Sequence, residues 1–301
     1  MNLTLINIIL ILQTSPAVEQ LHEYLNKYRA NRYIPVPQEI FEDNNSQIGL
    51  LEALSEYTSD TIPDIRLKVY NLADRIGEHS EDQRVRNLAV NILTVGLRDA
   101  DVGIVGVVSG KLLTYKKLDF SAQNSNQIAS LVTSSTPYLG NILKLAGHLD
   151  LDVTDQLRSL VEDTQLSNQY RFQAQLALAR TGDEQSINHI TKRLNSIEIN
   201  DRFVYSMVPQ LVYTRQKPII DFLVEVIQSD ELNCYSANPN SDGKILCGYR
   251  VMEYLAPIIV DFPIPLDEFG EPDIKDYRAA LEEVRAWFDM HPDYEIKMGD
   301  I

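Results

Sequence analysis

From about residue 60 onward, apolar residues in this chain of 301 residues recur at intervals of three and four positions. That spacing places them on one face of an α-helix, because a helix completes a turn every 3.6 residues. Short polar connectors separate the apolar segments, and the alternating pattern of β-strands is scarce. The sequence therefore predicts an all-α fold of helices joined by tight turns. Two clear apolar series are Ile65, Val69, Leu72, Ala73 and Ile76, and Val85, Leu88, Ala89, Ile92 and Leu93.

Composition and charge narrow the class of protein. Apolar residues make up 44% and charged residues 23%, which is typical of a globular chain with a sizeable core. The net charge is −16, from 27 basic and 43 acidic residues. Because binding to a phosphate backbone depends on cationic side chains, nucleic acid is not expected as a partner. No apolar run approaches the roughly 20 residues of a transmembrane helix, so no transmembrane segment is predicted.

The second half of the chain contains an internal repeat. The segment that begins at Leu178 aligns without gaps on the segment that begins at Leu211, so that Thr181 falls on Thr214 and Leu194 falls on Ile227. Each repeat would be a helical hairpin that cannot bury its apolar stripe alone. Stacking of neighbouring hairpins would close a continuous core.

Residues 168–194 resemble a HEAT repeat of the armadillo-like class. Arg171 stands near the start of the first helix, Ala174 and Ala177 lie midway, and Gly182 and Asp183 form the turn into the second helix. The resemblance covers residues 60–115 and 165–262, and it implies a right-handed α-solenoid. It also implies a concave groove, lined by the second helices of the hairpins, that binds a protein or a peptide.

Small and basic residues of the repeats have expected structural roles. Gly182 is expected to adopt the left-handed conformation that ends a helix. Three further glycines, at intervals of three and four, are expected to allow a close contact between helices. Four arginines are expected to lie over the core and hold acidic or carbonyl partners in the adjacent repeat. The glycines are Gly103, Gly106 and Gly110, and the arginines are Arg66, Arg86, Arg171 and Arg250.

The C-terminal part differs in character from the repeats. We assign residues 18–262 to the solenoid and residues 263–301 to a proline-rich connector followed by an acidic capping helix, predicted over residues 274–290. The apolar side of that helix would cover the last repeat. Residues 261–301 contain 12 acidic and 4 basic residues, so this end is either a solvated cap or an acidic docking surface. The apolar side comprises Tyr277, Leu281, Val284, Trp287 and Phe288.

The first residues and the two cysteines bear on localisation. Residues 1–17 resemble a short signal peptide, with an apolar core and small residues at Ser15 and Ala17, although no basic residue precedes the core. Cys234 and Cys247 bracket a loop and would form a disulfide in an oxidising compartment. These features favour a periplasmic or secreted protein. The alternative is a cytoplasmic protein with two reduced thiols and an ordinary N-terminal core segment.

The sequence contains no motif that indicates catalysis, a cofactor or a metal. Asn238, Asn240, Asp242 and Gly243 match the start of a calcium loop, but Tyr249 stands where a bidentate carboxylate is required. The five histidines are scattered and form no ligand pair on one helix.

These observations favour a non-enzymatic scaffold that binds a protein or peptide in the groove of the solenoid. The candidate groove residues are His189, Lys192, Asp221 and Glu225, which are polar positions on second helices. The alternative is an enzyme or enzyme-accessory protein on the same scaffold, such as a lyase-like protein. A third possibility is a structural module that joins a larger envelope complex through its acidic C-terminal end.

Overall fold

The predicted all-α class is confirmed by the structure, a computed structural model that describes residues 15–41, 44–236 and 243–299. The chain divides into two compact units, Met1–Asn124 and Ser125–Ile301, which we call the N-terminal and C-terminal units. The strands of the described residues form one antiparallel hairpin, β1 (Cys234–Tyr235) and β2 (Lys244–Ile245). Of the predicted leader at residues 1–17, all but the last three residues lie outside the described part of the chain.

The N-terminal unit is a series of helices that pack on their neighbours along the chain. Helix α2 contacts α1, α3 and α4, and α4 also contacts α3 and α5. Short 3-10 turns cover residues 38–41, 44–46, 112–114 and 117–119. The α-helices of this unit are α1 (Pro16–Ala30), α2 (Gln47–Ser55), α3 (Pro63–Glu78), α4 (Gln83–Gly96) and α5 (Val102–Lys111). Helix α6 (Ala122–Ala129) spans the boundary between the units.

The C-terminal unit is likewise a series of helices that pack on neighbours along the chain. Helix α9 contacts α7, α8, α10 and α12, and α13 contacts α10, α12, α14 and α15. Its helices are α7 (Leu139–His148), α8 (Thr154–Glu162), α9 (Asn168–Arg180), α10 (Glu184–Leu194), α11 (Asp201–Ser206), α12 (Val208–Thr214), α13 (Lys217–Gln228), α14 (Gly248–Leu255) and α15 (Tyr277–Met290).

The helices begin and end at residues with clear local causes. The Asp82 and Asp101 carboxylates accept hydrogen bonds from the first backbone N–H groups of α4 and α5. Ser15 caps α1, in which Pro16 is the first residue. Gly182 has φ +89°, as predicted, and ends α9. There the Gly182 N–H bonds to Ala179 O and the following N–H bonds to Leu178 O, which satisfies carbonyls that the helix end leaves free.

Two arginines in the first turns of α3 and α4 make the same set of contacts. The Arg66 guanidinium donates to both carboxylate oxygens of Asp99, at 2.7 Å each, and to the carbonyl oxygen of Asp60. Arg86 donates to Asp119 at 2.9 Å and to the carbonyl oxygen of Ser80, again six residues before the arginine. We call this arrangement the arginine clamp. It joins the start of one helix to the segment that follows the next helix.

The clamp carboxylates are buried, so each needs the arginine as its charged partner. The side chains of Asp99 and Asp119 are 3% and 1% exposed. The hydrogen bond from Arg66 holds the pKa of Asp99 below its usual range and outweighs the effect of burial. An unpaired carboxylate in this position would be strongly destabilising.

In the C-terminal unit the predicted arginines also bind carbonyl and acidic partners. Arg171 donates to Val161 O at 2.8 Å. Arg250 forms an ion pair with Asp201 and donates to Tyr235 O at 2.7 Å.

A further arginine at the end of α9, Arg180, was not predicted from the sequence. It is buried and donates to Tyr213 O at 2.8 Å and to Met298 O at 2.9 Å. It thereby joins α9 to α12 and to the C-terminal segment.

The close contact predicted at Gly103, Gly106 and Gly110 is wrong at the first and last of these positions. A Cβ at Gly110 would meet nothing within 4 Å, and one at Gly103 would meet only the Asp101 side chain. Gly110 therefore has room for a side chain, and the neighbour at Gly103 belongs to the cap of the same helix rather than to another helix.

The helices approach closely at a different glycine, Gly147 in α7. A Cβ there would lie 2.2 Å from the Tyr213 hydroxyl and 3.0 Å from the Ala177 backbone. The small residue Ala177 permits this close packing, and its partner is α7.

The predicted C-terminal helix is present and begins at Tyr277, three residues later than expected. Asp276 caps it, and the buried residues Leu281, Val284 and Phe288 face α13 and α14. The chain then returns along residues 258–260, where Val260 N–H bonds to Glu295 O and Lys297 N–H bonds to Ile258 O. The helix therefore covers the last helices of the C-terminal unit.

We predict that Arg86→Ala lowers the free energy of unfolding of the N-terminal unit by about 3 kcal/mol, because it leaves the Asp119 carboxylate buried and unpaired. Arg84→Ala is the matched control, since Arg84 lies in the same helix and its ion pair with Asp82 is exposed to solvent. Urea denaturation of the full chain, followed by circular dichroism, measures both. Equal effects of the two substitutions would contradict a structural role for the clamp.

Candidate functional site

The C-terminal unit contains an open cleft of about 720 Å³ lined by residues of α8, α9, α10, α11 and α12. We call it the α8–α12 cleft. Its lining includes the apolar residues Phe172 and Leu178 and is otherwise mostly polar. Five amide side chains line it: Asn168, Gln169, Gln175, Gln185 and Gln210.

The geometry of the cleft follows from the α9–α10 hairpin. Helix α9 begins after Ser167, whose hydroxyl accepts from Tyr170 N–H, and this start places Asn168 and Gln169 at the cleft. The turn at Gly182 reverses the chain. Helix α10 then begins after Asp183, and Gln185 in its first turn lines the same cleft. The first turns of two helices thus contribute to one cavity.

The cleft is cationic although the chain as a whole is acidic. Four arginines and two acidic residues line it, which gives a local charge of +2 with His189 neutral, against −16 for the chain. The acidic residues are Glu162 and Asp183, and the arginines are Arg158, Arg171, Arg193 and Arg202.

Two of the four arginines are already engaged. Arg158 forms an ion pair with Asp183 at 2.7 Å, and Arg171 donates to Val161 O. Burial alone would raise the pKa of Asp183, but hydrogen bonds from Arg158 and Ser186 outweigh it and hold the pKa below its usual range. Asp183 is therefore charged at neutral pH and its charge is compensated by Arg158.

The other two arginines have no acidic partner among the described residues. The Arg193 guanidinium carbon lies 5.5 Å from the centre of the Phe172 ring, a cation–π contact that orients the side chain. Arg202 is exposed at the start of α11. Within the described ranges, neither guanidinium has a carboxylate at salt-bridge distance.

The structure does not bring the four predicted groove residues together. His189 is exposed on α10 and lines the α8–α12 cleft, whereas Lys192 is exposed on the same helix and is not among the cleft residues. Asp221 accepts a hydrogen bond from the Tyr294 hydroxyl at 2.7 Å and another from Lys217 at 2.8 Å. Asp221 therefore holds the C-terminal segment against α13.

Glu225 lines a second cavity, of about 190 Å³, together with Ile199, Phe222 and Cys247.

The sequence could have identified one more residue of the α8–α12 cleft. Arg193 lies four positions after His189 on α10, and residues four apart share a face of a helix. Lys192 lies three positions after His189, but it is not among the cleft residues.

The predicted disulfide partners are adjacent in the structure. The Cα atoms of Cys234 and Cys247 are 5.1 Å apart, and their sulfur atoms are joined. Both side chains are buried in the core of the C-terminal unit. The strand pair beside them is held further by Arg250, through Tyr235 O. The calcium-loop positions Asn238, Asn240 and Asp242 lie outside the described residues.

Metal-binding clusters and membrane-spanning helices are both absent from the described part of the chain. It contains no group of three or more His, Cys, Asp or Glu side chains that could hold a metal ion. None of its helices is both long enough and apolar enough to cross a bilayer.

No family model, curated protein or solved structure matches the sequence.

We predict that the variant Cys234→Ala/Cys247→Ala loses about 3 kcal/mol of unfolding free energy, because the disulfide closes a short loop and restricts the unfolded chain. Chemical denaturation with and without a reductant measures this loss. The reductant should destabilise the natural chain by a similar amount and leave the alanine variant unchanged. A natural chain that is insensitive to the reductant, with two free thiols by mass spectrometry, would contradict the prediction.

Proposed function

We propose that this chain is a non-enzymatic binding protein that holds a protein or peptide segment in the α8–α12 cleft. The observation that carries the proposal is the set of amide side chains along the cleft. An extended peptide has an unpaired N–H and C=O at nearly every residue, and Asn and Gln side chains both donate and accept hydrogen bonds. The cleft is open and extends over five helices, which suits a chain segment better than a small molecule.

The fold that we propose for this role is a HEAT-like, right-handed α-solenoid of stacked helical hairpins. The α9–α10 hairpin, with its arginine, its alanines and its glycine turn, supports the HEAT resemblance. Helices that pack on neighbours one to three positions along the chain support stacking. The cleft would then be part of the concave face.

We propose a periplasmic or secreted location. The joined, buried cysteines support it, because a disulfide persists in an oxidising compartment. Nucleic acid is an unsuitable partner because only two cleft arginines are free to bind phosphates, while the chain carries a charge of −16.

The test is a selection of peptides from a random 12-residue display library with the purified full chain. We expect enrichment of related peptides that bind the natural chain. In Gln185→Trp the large ring should fill part of the cleft and weaken binding at least tenfold, as measured by fluorescence polarisation. Gln185 is exposed, so the substitution leaves the fold intact.

The matched control is Gln123→Trp, which adds the same ring at an exposed position of α6 outside the cleft. It should leave peptide affinity unchanged. A library with no enriched peptide, or peptides that bind Gln185→Trp as tightly as the natural chain, would overturn the proposed function.

A further inference from the structure

We infer that the partner segment is acidic and that Arg193 and Arg202 bind its carboxylates. This inference rests on the proposed function, because it names the chemistry of the segment that the α8–α12 cleft would hold. It goes beyond that function in assigning the specificity to two residues.

The first observation is the difference between these arginines and the others that line the cleft. Arg158 is neutralised by Asp183 at 2.7 Å, and Arg171 is satisfied by Val161 O at 2.8 Å. Arg193 and Arg202 have no such partner among the described residues. The chain has 43 acidic residues, yet these two cleft arginines form no ion pair among the described residues. They leave a local positive potential that an acidic ligand can neutralise.

The second observation is that Arg193 is oriented before any ligand binds. The contact with Phe172, at 5.5 Å from the ring centre, restrains the guanidinium and leaves its N–H donors free. A guanidinium presents these donors as a rigid fork that matches the two oxygens of a carboxylate. Less side-chain entropy is then lost on binding.

The third observation is the position of the cleft relative to helix N-termini. Asn168 and Gln169 are the first two residues of α9, which has 13 residues, and both line the cleft. The N-terminus of a helix carries a partial positive charge that favours an anion nearby. This partial charge adds to the positive electrostatic potential of Arg193 and Arg202.

The same charges favour carboxylates over a polyanion. Glu162 is an exposed acidic residue of the cleft, and the chain as a whole repels a densely charged ligand. Two free arginines match a segment with a few well-spaced Glu or Asp residues. Phosphopeptides and single-stranded DNA are therefore expected to bind more weakly than peptides with Glu or Asp residues.

The experiment measures binding of labelled 12-residue peptides to the full chain by fluorescence polarisation. Peptides of one Ala, Leu and Ser background contain four Glu, four Gln or four phosphoserine residues at varied positions, and a 12-nucleotide single-stranded DNA is included. We expect the Glu peptides to bind at least tenfold more tightly than every other probe. Raising the NaCl concentration from about 50 to 300 mM should weaken binding of the Glu peptides, because the contact is electrostatic.

Arg193→Gln and Arg202→Gln should each lower the affinity for the Glu peptides about tenfold. The matched control is Arg278→Gln, which removes the same charge from an exposed position of α15 and should change the affinity less than twofold. Both cleft arginines are exposed, and circular dichroism should show that each variant is folded.

The outcomes separate this inference from the proposed function. If display-selected peptides bind in a manner sensitive to Gln185→Trp but tolerate both arginine substitutions and Glu-to-Gln exchange, the acidic partner is wrong and the peptide-binding function stands. Tighter binding of phosphopeptide or DNA than of Glu peptides would also overturn the acidic partner. If no peptide binds the natural chain, both proposals fail.

Discussion

The helical packing of this chain depends on arginines that stand in the first turn of a helix and are satisfied by a neighbouring segment. A guanidinium buried among apolar helices is tolerated only when acidic or carbonyl groups accept its hydrogen bonds. Arg66 and Arg86 meet this condition with Asp99 and Asp119. In the N-terminal unit each clamp fixes where one helix starts relative to the end of the next.

Two of the four arginines of the α8–α12 cleft lack that compensation among the described residues. Arg193 and Arg202 lie on α10 and α11 of the C-terminal unit, and no carboxylate of the described chain reaches them. An exposed arginine that has neither an ion pair nor a carbonyl acceptor among the described residues is available to a ligand. The contrast between paired and unpaired arginines thus separates structural positions from binding positions on one scaffold.

Much of the fold could be predicted from local patterns, whereas contacts between distant residues could not. Apolar spacing, the glycine turn at Gly182 and the prolines before α15 all act within a few residues, so a linear sequence contains them. The close approach at Gly147 depends on Tyr213, 66 positions later, and the engagement of Asp221 depends on Tyr294. For the same reason Asp221 was expected in the groove, and the unpaired state of the cleft arginines required the three-dimensional structure.

The most direct test of the central claim is a double-mutant cycle on one clamp. The free energies of unfolding of the natural chain, Arg66→Ala, Asp99→Ala and the double variant are measured by urea denaturation at pH 7. If the clamp holds the helices together, the two residues should be coupled by about 2 kcal/mol, with the double variant less destabilised than the sum of the single variants. Additive effects within about 0.5 kcal/mol would show that the two side chains act independently, and would contradict the account.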